Sequence, residues 1–282
     1  MLRLAILASC FALISCSSAP KPEEPTPVVK NPNSYFTGVR GCFVLFSIEE
    51  NRVVDVINPE RCAETTAPCS TFKVPLAVMA FDSKILKNEK SVLKWDKKKR
   101  MVPAWNKDQT ATSWMHESVV WYSQRLTPKL GRKKIEHYLS EFSYGNEDFS
   151  GGLTDAWLTE AKFSKNANST LKISAMEQVD FLSKLWKEEL PVSKDSQTKT
   201  KKIMPQETTA NGSTLTGKTG SGYVDTVNNK RLAWYVAHVD GKDGHEYISV
   251  VTFDDIDPQP EAKFGGGQAK SIMKSILEDK GL

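Results

Sequence analysis

The chain has 282 residues, with 38 Lys and Arg against 34 Asp and Glu, for a formal net charge of +4. A small charge of mixed sign leaves no footprint for a nucleic acid and no bias toward acidic substrates. The four histidines, His116, His137, His238 and His245, form no H-x-H or H-E-x-x-H pair, which argues against a zinc hydrolase and against any other metal site built on them.

Arg3 precedes an apolar run from Leu4 to Ile14, too short to span a bilayer but suited to the apolar region of a signal peptide. The run ends in Leu13-Ile14-Ser15-Cys16, which looks like a bacterial lipobox. On that reading residues 1–15 are a lipoprotein signal peptide and Cys16 is the lipidated first residue of the mature chain. An ordinary signal peptide cut near Ala19 is the alternative, and Leu7-Ala8-Ser9-Cys10 is a rival lipobox with too little apolar length before it. Residues 16–35 have no apolar periodicity and read as a flexible tether. Ser17 after the cysteine, rather than Asp, resembles outer-membrane sorting in Gram-negative bacteria, so a periplasmic, outer-membrane-anchored lipoprotein is expected. No later segment is long and apolar enough to cross a membrane, which leaves the N-terminal lipid as the expected membrane contact.

The remaining length suits one large or two interleaved domains with a full-sized core. Gly41 to Ile48 and Arg52 to Ile57, around Glu49-Glu50-Asn51, predict a β-hairpin. With Cys10 and Cys16 set aside, Cys42, Cys62 and Cys69 allow one bridge and one leftover thiol. Cys42 opens a predicted strand and Cys62 lies just past its partner, so Cys42–Cys62 is the expected bond. A Cys62–Cys69 bond, which would pull on the segment at Ser70, stays open. In Ser70-Thr71-Phe72-Lys73, a serine opening a helix has Lys73 one turn later on the same face. Val74 to Leu86 is nearly all apolar, as in a helix buried on every side, and Pro75 falls early enough to be tolerated. Lys97-Lys98-Lys99-Arg100 and Lys199-Thr200-Lys201-Lys202 read as solvated surface. Ser174-Ala175-Met176-Glu177 is a capping-box pattern that predicts a helix with Met176, Val179, Leu182 and Leu185 inward. Leu232 to Val239 and Tyr247 to Phe253 predict a second hairpin across Asp240-Gly241-Lys242-Asp243-Gly244. Ala269, Ile272, Met273, Ile276 and Leu277 recur at helical spacing. The sheet is thus built from both chain ends, with an all-helical lobe inserted from roughly residue 66 to 210.

Short motifs carry the chemistry. After Ser70-Thr71-Phe72-Lys73 come Ser118-Val119-Val120, Tyr144-Gly145-Asn146 and Lys218-Thr219-Gly220, in the order expected of serine acyl-transferases acting on penicillin-like amides. With their neighbours, Pro68-Cys69-Ser70-Thr71-Phe72-Lys73, Ser118-Val119-Val120-Trp121 and Asp155-Ala156-Trp157-Leu158, these strings resemble the class D, or OXA-type, serine β-lactamases. The resemblance covers residues 36 to 280. It implies the two-lobed α+β fold of the serine β-lactamases and penicillin-binding transpeptidases, an antiparallel sheet flanked by helices with an inserted helical lobe. The domain is then residues 36–282, acting on small-molecule β-lactams without nucleic acid. Oligomeric state is not read from the sequence.

The resemblance also assigns roles. Ser70 is the nucleophile, and its N–H with that of Ser221 forms an oxyanion hole. Lys218 and Thr219 hold the substrate carboxylate, Val120 and Gly220 line the substrate site, and Ser118 relays a proton to the departing ring nitrogen. Lys73 is the base, although an unperturbed lysine has a pKa of ~10.4 and is an ammonium at neutral pH. Phe72, Val120, Trp157 and Leu158 are the apolar residues that the family places around it, and desolvation there favours the neutral amine. In class D enzymes that amine captures carbon dioxide as a carbamate (N6-carboxylysine), to which Trp157 donates; no other cofactor is implied. Val120 stands where related penicillin-binding proteins usually carry Asn. Ala269 stands where many class D enzymes have an arginine that clamps the substrate carboxylate, behind Gly265-Gly266-Gly267. That function would then fall to Lys218, Thr219 and Ser221, with Thr216 or Lys263 as further candidates. A penicillin-binding sensor, or a weak peptidoglycan carboxypeptidase or transpeptidase, is the alternative function.

Overall fold

The structure is a computed structural model that describes residues 32–160, 163, 169–258 and 264–282. Cys16 and Lys263 lie outside the described residues. Strands β1 (Val39–Ser47) and β2 (Arg52–Ile57) form the N-terminal hairpin. Helix α1 (Pro59–Ala63) follows, and a 3₁₀ turn over Cys69–Phe72 runs straight into α2 (Lys73–Asp82). Next come β3 (Val92–Leu93), β4 (Gln109–Thr110), α3 (Ala111–His116), α4 (Val120–Leu130) and α5 (Arg132–Phe142). Helices α6 (Ala175–Trp186) and α7 (Lys194–Ile203) lead to β5 (Gln206–Thr208), β6 (Thr214–Asp225), β7 (Lys230–Asp240) and β8 (Glu246–Asp255). Helix α8 (Gly266–Asp279) ends the chain.

Six strands make one antiparallel sheet in the order β2-β1-β8-β7-β6-β5, so β1 lies beside β8 and the sheet joins both chain ends. Successive side chains of a strand face opposite sides, and the sheet separates two cores. Phe43, Ala233, Tyr235, Val251 and Phe253 pack against Ala269, Met273, Ile276 and Leu277 of α8. Val44, Trp234, Val236 and Val250 face the larger core, shared with the helices of the inserted lobe. That lobe is not wholly helical, because β3 and β4 pair through Val92–Thr110 and Leu93–Gln109.

Local sequence explains the element ends. The Ser174 hydroxyl accepts from the Glu177 N–H at 3.2 Å while the Glu177 carboxylate accepts from the Ser174 N–H at 2.7 Å, closing the capping box. Val179, Leu182 and Leu185 are buried as expected, but Met176 is 38% exposed. The inward stripe runs through Ala175 and Gln178 instead, and Met176 sits about 100° around the helix from Ala175. Ser70 does not open the α-helix itself. It lies in the 3₁₀ turn before α2, where a tighter winding still keeps Lys73 one turn away.

Every residue of α2 from Lys73 to Phe81 is buried. At ~1.5–3 kcal/mol for each large apolar side chain, this helix is a firm anchor for the groups at its start. Cys42 of β1 and Cys62 of α1 are joined by a disulfide, with Cα atoms 5.3 Å apart, and Cys69 is a free buried thiol. Replacing both bonded cysteines with alanine is expected to destabilise the fold by about 3 kcal/mol. Thermal melts under oxidising conditions should then show the variant's Tm lower by roughly 6–12 °C. An unchanged Tm would mean that the bond contributes nothing.

Candidate active site

Ser70 lines a pocket of about 220 Å³ at the meeting of α2, the start of α4 and β6, together with Ser118, Val120, Leu158, Thr219 and Ser221. The turn that presents it is strained: Cys69 has φ 49°, in the left-handed region that residues with side chains avoid. Several bonds hold it there. The Thr71 N–H and hydroxyl both donate to the Pro68 carbonyl, at 3.1 and 2.7 Å, and the Gln178 side-chain amide donates to the Thr71 hydroxyl at 2.9 Å. Trp234 of β7 donates its indole N–H to the Ala67 carbonyl at 3.0 Å, tying the same segment to the sheet.

Lys73 Nζ and Ser70 Oγ are hydrogen-bonded at 3.0 Å. Lys73 is fully buried, and its pKa lies well below the ordinary lysine value. Burial is the main cause, and the positive charge of Lys218 adds to it. Burial thus favours the neutral form of the amine, the form that can accept a proton from a neighbouring hydroxyl. Phe72, the residue before Lys73, forms an aromatic cluster with Phe149 and Trp157, with Phe72–Trp157 ring centroids 5.2 Å apart and Phe149–Trp157 centroids 6.0 Å apart. The indole N–H of Trp157 is buried and has no hydrogen-bond partner among the described residues. Such a donor left dry costs on the order of 1–3 kcal/mol, and it marks a place prepared for an acceptor.

Lys218 lies across the pocket on β6. Its Nζ donates to Ser118 Oγ at 3.1 Å and to the Thr219 carbonyl at 2.9 Å. Burial, and then the charge of Lys270, push the Lys218 pKa down to about 7. Ser118 has φ 55°, a second strained residue at the site. β6 can come this close because of Gly220: a Cβ there would lie 3.2 Å from the Pro68 carbonyl oxygen and 3.2 Å from the Thr71 methyl. Ladder pairing with β5 ends at Thr216, so β6 from Lys218 onward turns its outer edge to the Ser70 segment. Val120 is the first residue of α4 and forms part of the pocket wall.

Some motif residues turn out to be braces. Tyr144 is buried and accepts from Gln178 at 3.4 Å. The Asn146 side chain accepts from the Lys172 N–H at 2.8 Å and donates to the Thr170 carbonyl at 2.9 Å, clamping both ends of the segment that carries Trp157. Ala269 is fully buried in the core under α8, away from the pocket lining. Ser221 Oγ accepts the Gly266 N–H at 2.9 Å, Thr216 Oγ1 accepts from Gln206 at 3.2 Å, and Lys270 is ion-paired with Glu207. Sequence reasoning missed Thr159 and Trp105, both in the pocket wall. Thr159 Oγ1 accepts the Tyr223 N–H at 2.9 Å, fastening the Trp157 segment to β6. Its place two residues after Trp157 was the one available signal, whereas Trp105 ends a three-residue 3₁₀ turn, Pro103–Trp105, too short to carry a pattern.

A serine bonded to a buried amine, a serine–lysine pair facing it and an edge strand beside both form an acyl-transfer site. The penicillin binding protein transpeptidase domain family matches residues 31–278. The chain is 40% identical to beta-lactamase OXA-1 of Escherichia coli over 222 residues, covering 76% of each. A crystal structure of a class D beta-lactamase from Bacillus subtilis superposes with a TM-score of 0.76 at 35% identity, covering 92% of this chain and 99% of that one. The chain belongs to the class D β-lactamases. It is also 32% identical to the regulatory protein BlaR1 of Bacillus licheniformis, over 86% of this chain but 37% of that protein.

Two lysines buried against their ordinary pKa make the fold of this β-lactamase homologue pH-dependent. The unfolded chain keeps the Lys218 proton up to about 10.5 and the folded chain sheds it near 7. Stability must therefore rise with pH across that window and fall as pH drops through it, and Lys73 acts in the same direction. Lys73→Met removes one buried amine. In buffer free of carbon dioxide it should raise Tm at pH 7 by at least about 3 °C, with the gap closing toward alkaline pH. A lower Tm for the variant at pH 7 would show that the amine is not held neutral.

Proposed function

We propose that this chain hydrolyses the amide bond of β-lactams through an acyl-enzyme on Ser70. The observation that carries this reading is the fully buried Lys73 amine 3.0 Å from the Ser70 hydroxyl. Ser70 Oγ attacks the ring carbonyl carbon as its proton passes to Lys73, and the oxyanion is met by the N–H groups of Ser70 and Ser221. Collapse breaks the C–N bond, and the ring nitrogen takes a proton from Ser118, which Lys218 at 3.1 Å resupplies. The proton held by Lys73 passes back to the Ser118–Lys218 pair, which restores the neutral amine. Water then attacks the ester carbonyl as Lys73 takes its proton, and that proton returns to Ser70 Oγ as the C–O bond breaks and the penicilloic-type acid leaves.

The neutral Lys73 amine and the unpartnered Trp157 N–H fit carboxylation of Lys73 by carbon dioxide, which would supply an anionic base for both half-reactions. The residues present thus suit the group: an apolar cluster excludes water, and one indole donor is positioned without an acceptor. Thr219 and Ser221, with the Lys218 charge, are the groups on hand for the substrate carboxylate. The N-terminal string supports export, with Cys16 lipidated, residues 1–15 removed and the domain facing the periplasm on a tether.

A β-lactam receptor would share Ser70 and Lys73 but keep the acyl group, and the similarity to BlaR1 keeps that reading distinct and testable. With nitrocefin, many turnovers per protein molecule are expected. One stoichiometric burst would mean a receptor, and cleavage of a D-Ala-D-Ala peptide in its place would mean a carboxypeptidase. Ser70→Ala should show no penicillin adduct by intact mass, and a persisting adduct would remove the nucleophile assignment. In a bacterial host, the full-length chain should sediment with membranes and Cys16→Ala should release it; equal partitioning of the two would leave a secreted enzyme without an anchor.

A further inference from the structure

The run Lys97-Lys98-Lys99-Arg100, read from sequence as plain surface, borders a cavity that the steps at Ser70 do not use. This cavity, of about 270 Å³, is lined in part by Lys99, Arg100, Met101, Trp105, Val120 and Trp121. Trp105 and Val120 also line the Ser70 pocket, so the two spaces share a wall. Val120 begins α4 two residues after Ser118, and a group running past it away from Ser70 arrives at this cavity.

Its charge is distinctive. The guanidinium groups of Arg100 and Arg125 lie 5.3 and 5.6 Å from the Trp121 ring centroid, so that ring has two cations close to it. Asp96 is held by Arg100 at 2.7 and 2.9 Å, and Asp108 by Lys94 at 2.8 Å, so these two carboxylates are engaged. Asp96 is accordingly depressed far below the usual carboxylate range, mainly by its bond from Arg100. Arg125 donates to the Lys94 carbonyl but pairs with no carboxylate among the described residues, and exposed Lys99 has no ion pair among them. The space thus combines apolar walls with two cations, Lys99 and Arg125, that are not ion-paired among the described residues, while Glu160 lies in the adjoining Ser70 pocket.

We infer that this cavity is a subsite for the distal end of the substrate's acyl side chain, and that it selects β-lactams whose side chain ends in a carboxylate. The inference rests on the β-lactamase reading and adds the substrate class. Apolar methylenes of such a chain pack along Val120 and Trp105, and its carboxylate meets Lys99 with the Arg100 and Arg125 field behind it. The pairing is solvent-exposed, so it contributes modestly and is weakened by salt.

The test compares 6-aminopenicillanic acid acylated with adipic acid against the same compound as its side-chain monomethyl ester, which has the same chain without the charge. The full chain should show kcat/KM about fivefold higher for the acid at low salt, as an exposed ion pair allows. Lys99→Glu, on an exposed unpaired position that folding does not need, should bring the ratio below one, and high salt should pull both ratios toward one. Equal kcat/KM for the two compounds in the native chain, or a ratio that Lys99→Glu leaves unmoved, overturns the subsite. No turnover of either compound or of nitrocefin removes the β-lactamase reading and the subsite with it, whereas nitrocefin turnover with an unmoved ratio removes the subsite alone.

Discussion

A lysine amine buried without an anion is the constraint around which this molecule is organised. Water would solvate the Lys73 ammonium far better than the protein interior does, so burial drives the amine's pKa down at a cost in stability. The surrounding structure supplies what offsets that cost. Helix α2 is apolar and buried along its length, and Phe72, just before it, packs with Phe149 and Trp157. A second lysine, Lys218, sits across the same pocket and depresses Lys73 further. An arrangement that works against its own stability at one point, while every neighbour supports it, is characteristic of a functional site.

Tertiary connections turn this constraint into a site. Pairing β1 with β8 closes the sheet from the two chain ends, and β6 is left with an edge facing the helical lobe. The Trp234–Ala67, Gln178–Thr71 and Thr159–Tyr223 bonds then pin the nucleophile turn and the Trp157 segment to sheet and helix alike. Gly220 and Gly266 make the closeness possible, since a Cβ on Gly266 would lie 2.6 Å from that of Thr219. The carboxylate side of the pocket is therefore set by backbone contact between α8 and β6, with no room at Ala269 for a large side chain to take part.

The hairpins were legible as short apolar runs flanking polar turns, buried almost continuously because the sheet has a core on each face, and the last helix because its apolar residues recur at helical spacing. The Ser174 capping box was legible for a local reason, a serine and a glutamate three residues apart satisfying each other's N–H groups. Met176 was misplaced because apolarity alone does not say which side of a stripe a first-turn residue falls on. The short β3–β4 ladder escaped notice since two residues per strand carry no period. At the site, Ser70, Lys73, Ser118 and Lys218 could be named from motif order, and the structure brings Ser70 to Lys73 and Ser118 to Lys218. The bracing role of Tyr144 and Asn146, the tie from Thr159 and the unmatched Trp157 N–H depend on contacts between segments far apart in sequence, which no spacing records.

The central proposal is that the buried Lys73 amine captures carbon dioxide and that the unpartnered Trp157 N–H meets the carbamate. Carbon-13 NMR of the protein in labelled bicarbonate near neutral pH tests this directly, since only a neutral amine captures carbon dioxide. A carbamate resonance is predicted in the native protein, lost on acidification, absent from Lys73→Met and diminished in Trp157→Phe. No such resonance from a protein that turns over nitrocefin normally would contradict the account, leaving Lys73 to work as a free amine and the Trp157 N–H without a purpose.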